Sequence, residues 1–106
     1  MTIGERFAEA HDSYADGSDK ITLPMMINDD FLWTSFTRPE GSPAITKQQM
    51  LQMIEEAGPD DEVTIFHATD EILVIGFRGN YGSLLLTVQF DNSRAIKAWG
   101  ATINKS

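Results

Sequence analysis

The segment from Asp61 to Asn104 limits what this chain can become more than any other stretch. Four runs rich in β-branched and aromatic residues, Glu62–Ala68, Glu71–Arg78, Ser83–Phe90 and Arg94–Ile103, are separated by short turn-forming stretches. The links are Thr69-Asp70, Asn80-Tyr81-Gly82 and Asp91-Asn92-Ser93, too short for anything but hairpins. A meander of four antiparallel strands is therefore expected. Leu84, Leu86, Val88 and Phe90 alternate with Thr87 and Gln89, which gives that strand one buried face. Ile72–Phe77 is apolar on both faces, so something must cover it on both sides.

The preceding half supplies helices. Thr2 and Glu5 form a capping box, Ile3, Phe7, Ala10 and Tyr14 follow at helical spacing, and Gly17 stops the run. His11 lies one turn after Phe7, on or beside the buried stripe. A short helix is predicted from about Thr22 to Asn28, with Pro24 in its first turn and Leu23, Met26 and Ile27 inward. Phe31–Phe36 reads as one early strand, with Phe31, Trp33 and Ser35 on one face and Leu32, Thr34 and Phe36 on the other. Arg38–Pro43 is a loop by composition, and Ala44-Ile45 a brief extended segment. A second capping box, Thr46 with Gln49, opens a helix whose stripe is Met50, Met53, Ile54 and Ala57, and Gly58-Pro59 ends it. The helices and the early strand are expected to close over one face of the meander.

Length and composition fit a single domain over residues 1–106. There is no cysteine, so disulfides, thiol nucleophiles and Cys-ligated metals are excluded. Two distant histidines give no metal-site spacing, and neither a metal nor another cofactor is expected. The formal charge is −8: residues 1–62 carry 13 acids and 4 bases, residues 63–106 carry 3 acids and 4 bases. Without a basic stripe, nucleic acid and anionic membrane are poor partners. Met1–Ala10 lacks the pattern of a signal peptide and no window is long enough to span a bilayer, so a cytoplasmic location is expected.

The element order, with Asp29-Asp30-Phe31-Leu32-Trp33 after the short helix, Ile45-Thr46-Lys47-Gln48-Gln49-Met50 at the third helix and Ser93-Arg94-Ala95-Ile96-Lys97-Ala98-Trp99 closing the meander, resembles the NTF2-like superfamily and its SnoaL-like, polyketide-cyclase-like branch. Ala44-Ile45-Thr46 stands where that branch carries a glycine, and Asn92-Ser93 where it carries Asp-Gly. The resemblance implies an α+β cone, three N-terminal helices packed in the curve of a bent mixed sheet, with a pocket at its mouth and a homodimer formed through the outer sheet face. That fold hosts both enzymes and noncatalytic carriers. The base and the proton-sharing acid of ketosteroid isomerases map onto Ser35 and Leu86, and their tyrosine falls near His11, so that chemistry is not expected. A pair of pocket histidines, as in scytalone-dehydratase-like proteins, maps onto His11 and His67.

Two readings stay open. One is a pocket for a small, largely apolar molecule, with isomerase, cyclase or dehydratase chemistry using His67 as acid/base. His11, Tyr14, Trp33, Met53, Arg78 and Trp99 are its candidate lining, Arg78 as an anchor for an anionic group. The other is a noncatalytic dimeric binding or assembly domain. Each singled-out residue also has a plain role: core packing for the tryptophans and methionines, hydrogen bonding in the core for the histidines, solvation for Asp29 and Asp30.

Overall fold

A computed structural model describes residues 1–79 and 82–103. Three helices, α1 (Ile3–Asp16), α2 (Thr22–Met25) and α3 (Lys47–Ala57), accompany six strands: β1 (Ile27–Ser35), β2 (Ile45–Thr46), β3 (Glu62–Ala68), β4 (Ile72–Gly79), β5 (Gly82–Asp91) and β6 (Arg94–Ile103). The strands form one open, mixed sheet in the order β2-β1-β6-β5-β4-β3. The helices fill its curve, giving an α+β cone. No helix among the described residues is long and apolar enough to cross a membrane.

Both capping boxes form. Thr2 accepts from the Glu5 amide and Thr46 from the Gln49 amide, and each glutamate or glutamine side chain returns to the cap backbone. Gly17, at φ 83°, ends α1 in the left-handed conformation that a side chain would resist. Helix α2 ends at Met25 instead of Asn28, because the chain enters the sheet at Ile27, four residues before the expected strand. Leu23, Ile27, Phe31 and Phe7 are almost wholly buried, each contributing about 1.5–3 kcal/mol by removal from water.

Strands β3 to β6 make the expected antiparallel meander. Asp91 and Arg94 pair across Asn92-Ser93, both at positive φ, the two-residue turn that suits strand twist. The turn expected at Asn80-Tyr81 lies outside the described residues. The early strand does not lie over a sheet face. It extends the sheet by pairing parallel to β6, from Ile27 opposite Ala95 to Ser35 opposite Gly100. Between those ends β1 runs from Ile27 to Leu32 while β6 runs only from Ala95 to Lys97. Asp29 and Asp30 occupy that excursion and are exposed, Asp29 pairing with Lys47 at 3.2 Å.

Two single-residue bulges change which way side chains face. In β3 the pairing slips between Ile65 (opposite Ile75) and His67 (opposite Val74). In β6 it slips between Phe90 (opposite Ala95) and Gln89 (opposite Lys97). Directly paired residues share a face, so each slip reverses the alternation beyond it.

Gly100 sits where β6 passes beneath Trp33. A Cβ there would lie 2.7 Å from the Leu85 carbonyl oxygen and 3.0 Å from Trp33 Nε1. Backbone cannot yield as a flexible side chain does, so Gly100→Ala is expected to lower stability by about 1–3 kcal/mol in urea unfolding. An unchanged midpoint would contradict this packing of Trp33.

Candidate functional site

A cavity of about 310 Å³ opens between α1, the end of α3 and the inner face of the sheet. Trp33 from β1, Met53 and Ile54 from α3, Phe77 from β4 and Leu84 from β5 supply its apolar walls. Its ionisable lining groups are His11 of α1, Glu56 at the end of α3 and Asp60 in the following loop.

His11 belongs to the buried stripe of α1, with Phe7, Ala10 and Tyr14. It is 8% exposed, and its ring stacks on Phe77 with centroids 4.3 Å apart and planes inclined by 26°. Nδ1 lies 3.9 Å from Asp60 Oδ2 and 3.9 Å from Asp12 Oδ1, beyond hydrogen-bond range of both. It is buried without a protein partner, as is Trp33 Nε1. A buried polar atom left unsatisfied costs about 1–3 kcal/mol, and both such atoms belong to residues lining this one cavity.

Asp60 is brought in by the chain reversal at Gly58-Pro59. The Asp61 amide then donates to the Arg78 carbonyl at 2.7 Å, which ties the loop to β4. Gly79 makes room: a Cβ there would stand 3.1 Å from Asp60 Oδ1. The Asp60 side chain is only 16% exposed, against 56% for Asp12. Burial pushes the Asp60 carboxyl above its ordinary range; the nearby imidazole opposes this, and Asp12 and Asp61 add to it.

The donor atoms of His11, Asp12 and Asp60 lie within 4.8 Å of one another, a grouping that a cation could bridge. Asp12 faces solvent, however, and no fourth carboxylate, histidine or cysteine joins the group among the described residues. The pair that faces the cavity is His11 with Asp60.

Of the residues singled out in the sequence, His11, Trp33 and Met53 meet in this cavity. The others do not. His67 is exposed, and the β3 bulge turns it to the face of Val74, away from Ile65 and Ile75. The β6 bulge likewise sets Trp99 on the outer face, between Thr34 and Thr87, with Lys97 Nζ 5.3 Å from its ring centroid. Arg78 is exposed and paired with Glu62 at 2.8 Å. Tyr14 is buried in the core outside the cavity, with Lys20 Nζ 4.2 Å from its ring centroid. Ser35 and Leu86 bring no acid, since Ser35 hydrogen-bonds Thr37 and Leu86 is core. Asp60 was not singled out in the sequence, where it reads as part of an acidic lead into the sheet. The one local signal was its place immediately after a Gly-Pro helix stop.

No protein-family model matches the sequence, and no curated protein matches it. Solved structures do. A SnoaL-like protein of unknown function from Burkholderia thailandensis superposes with a TM-score of 0.69 at 17% identity, covering 96% of each chain. An NTF2-like protein from Anabaena variabilis gives 0.69 at 12% identity, over 97% of this chain and 88% of its own. A protein from Rhodopseudomonas palustris provisionally described as an isomerase gives 0.66 at 15% identity, over 98% of this chain and 91% of its own. Likeness at these identities is one of fold, and the fold is the NTF2-like, SnoaL-like one.

The raised Asp60 carboxyl sets a sign for pH dependence. Folded Asp60 holds its proton above the ordinary value of 3.8, so through that window the folded state binds more protons than the unfolded one. Its contribution to stability is present at low pH and lost as pH rises through the folded value. Asp60→Asn is therefore expected to gain stability relative to its parent between about pH 4 and pH 7, compared in a His11→Gln background where no imidazole titrates at that site. A difference that stays flat across this range would contradict the burial of the carboxyl.

Proposed function

We propose that the protein binds a small, largely apolar molecule in the cavity and moves a proton on it, with His11 as the general base and acid. One observation carries this reading: a single buried imidazole, faced by a half-buried carboxylate, at the polar end of an otherwise apolar cavity. Asp60 opposite Nδ1 favours the tautomer with its proton on that nitrogen, which leaves the Nε2 lone pair for the ligand. A separation of 3.9 Å closes to a hydrogen bond with a movement of about 1 Å, as catalytic pairs do on ligand binding. The matching reaction class is proton transfer next to a carbonyl, the step common to isomerisation, cyclisation and dehydration. His11 takes the role that sequence alone suggested for His67, which stands outside the cavity.

The test works without an identified substrate. A panel of small apolar ketones is incubated with the protein in deuterated water, and exchange at carbon is followed by NMR. Wild type is expected to accelerate exchange on at least one member, His11→Gln to lose about 100-fold or more of that acceleration, and His67→Gln to keep it. Acceleration that survives His11→Gln, or none across the panel, would remove the catalytic reading.

We also propose that the protein is a homodimer paired through the outer sheet face, and a separate observation supports it. Phe66 is 63% exposed and Leu85 45% exposed on the outer face, which they share with Val74, Gly76 and Trp99 around Thr87. Phe66 lies against Gly76, where a Cβ would stand 3.1 Å from its ring. A charge at the centre of such a face would have to be desolvated on pairing. Sedimentation is expected to give a dimer for wild type and a monomer for Leu85→Glu. A monomeric wild type would contradict the pairing and leave the cavity reading intact.

A further inference from the structure

We infer that the cavity selects organic ammonium ions, that is, protonated amines carried on an apolar body. This rests on the reading that the cavity takes a small molecule, and it fixes the charge of that molecule. The charged side chains lining the cavity among the described residues are carboxylates, Glu56 and Asp60, with Asp12 immediately behind. No lysine or arginine joins them in that lining. Lys20 pairs with Glu55 at 3.4 Å, Lys47 with Asp29 at 3.2 Å and Arg78 with Glu62 at 2.8 Å, and Arg38, which lines a neighbouring depression with Glu56, donates to the Pro43 carbonyl at 2.9 Å. Glu56 accepts a hydrogen bond from Gln52 Nε2 at 3.0 Å, a neutral donor that leaves its charge uncompensated.

His11 Nδ1, buried and without a partner, lies 3.9 Å from both Asp12 and Asp60 in this cluster. Trp33 supplies an aromatic wall of the same cavity, and His11 is stacked on Phe77. An aromatic wall with carboxylates, and no basic residue in the lining, is the chemistry that recognises an ammonium group. A carboxylate or phosphate ligand could accept from the Trp33 indole N–H but would be repelled by Glu56 and Asp60, and the chain's net charge of −8 extends that bias to the approach.

Three probes of one shape decide the matter: naphthylmethylamine, naphthylmethanol and naphthoate, titrated calorimetrically at about pH 8, where the amine is charged. The amine is expected to bind about 10-fold tighter than the alcohol or better, and naphthoate to show no binding. Asp60→Asn should bring the amine-to-alcohol ratio close to one. Glu56→Gln, a change on the helix surface, should lower it by a smaller factor, and it serves as the second variant if Asp60→Asn does not fold. Equal binding of amine and alcohol, or preferred binding of naphthoate, would overturn the charge selection while leaving the pocket standing. Failure of all three probes to bind would overturn both.

Discussion

Strand β1 enters the sheet parallel to β6, and that pairing decides where the rest of the chain must go. The short β2 pairs beside β1 at the near edge, and the strand after it, β3, lies at the opposite edge. The chain between them has to cross the sheet, and α3 makes the crossing on the inner face, where Met50 is buried and Leu51 and Ile54 pack on the core. Parallel neighbours always need such a crossover. Its far end, Gly58-Pro59-Asp60, then lands beside β4. The carboxylate of Asp60 therefore meets the imidazole of α1 because one edge of the sheet must be connected to the other.

The interior shows what this arrangement costs. Phe7 and Phe90 meet edge to face at 5.4 Å, and the only residue classed polar or charged that is buried among the described residues is His11. Only toward the cavity does burial become polar. There an imidazole and an indole nitrogen each lack a partner, at a cost of about 1–3 kcal/mol apiece. A chain under selection for stability alone could place leucine or phenylalanine at both positions. The stacking of His11 on Phe77 fixes the ring at a distance from Asp60 that a small movement closes.

Much of the fold is legible in local sequence. The capping boxes at Thr2 and Thr46, the glycine stop at Gly17 and the alternation of Leu84 to Phe90 are each set by contacts within a few residues. The site is less legible, and two extra residues account for much of that. Period-two reading from Val63 and Ile65 puts His67 inward; the β3 bulge puts it outward. The same reading from Ala95 puts Trp99 inward; the β6 bulge sends it to the outer face. Bulges depend on pairing partners that one strand's sequence does not contain. Asp60 is harder still, since its role depends on Gly79 and on a helix that begins more than fifty residues earlier. His11 and Trp33 were visible because simple periodicity already places them on buried faces.

With only two histidines in the chain, the imidazole nitrogens can be read directly. The measurement is a long-range proton–nitrogen NMR spectrum of the nitrogen-labelled protein, which distinguishes the two imidazole tautomers. The account predicts one histidine held in the tautomer protonated at Nδ1, released from it by Asp60→Asn, and a second, His67, showing the averaged pattern of an exposed ring. Two histidines with the same averaged pattern, both indifferent to Asp60→Asn, would contradict the central claim that Asp60 orients His11 for work in the cavity.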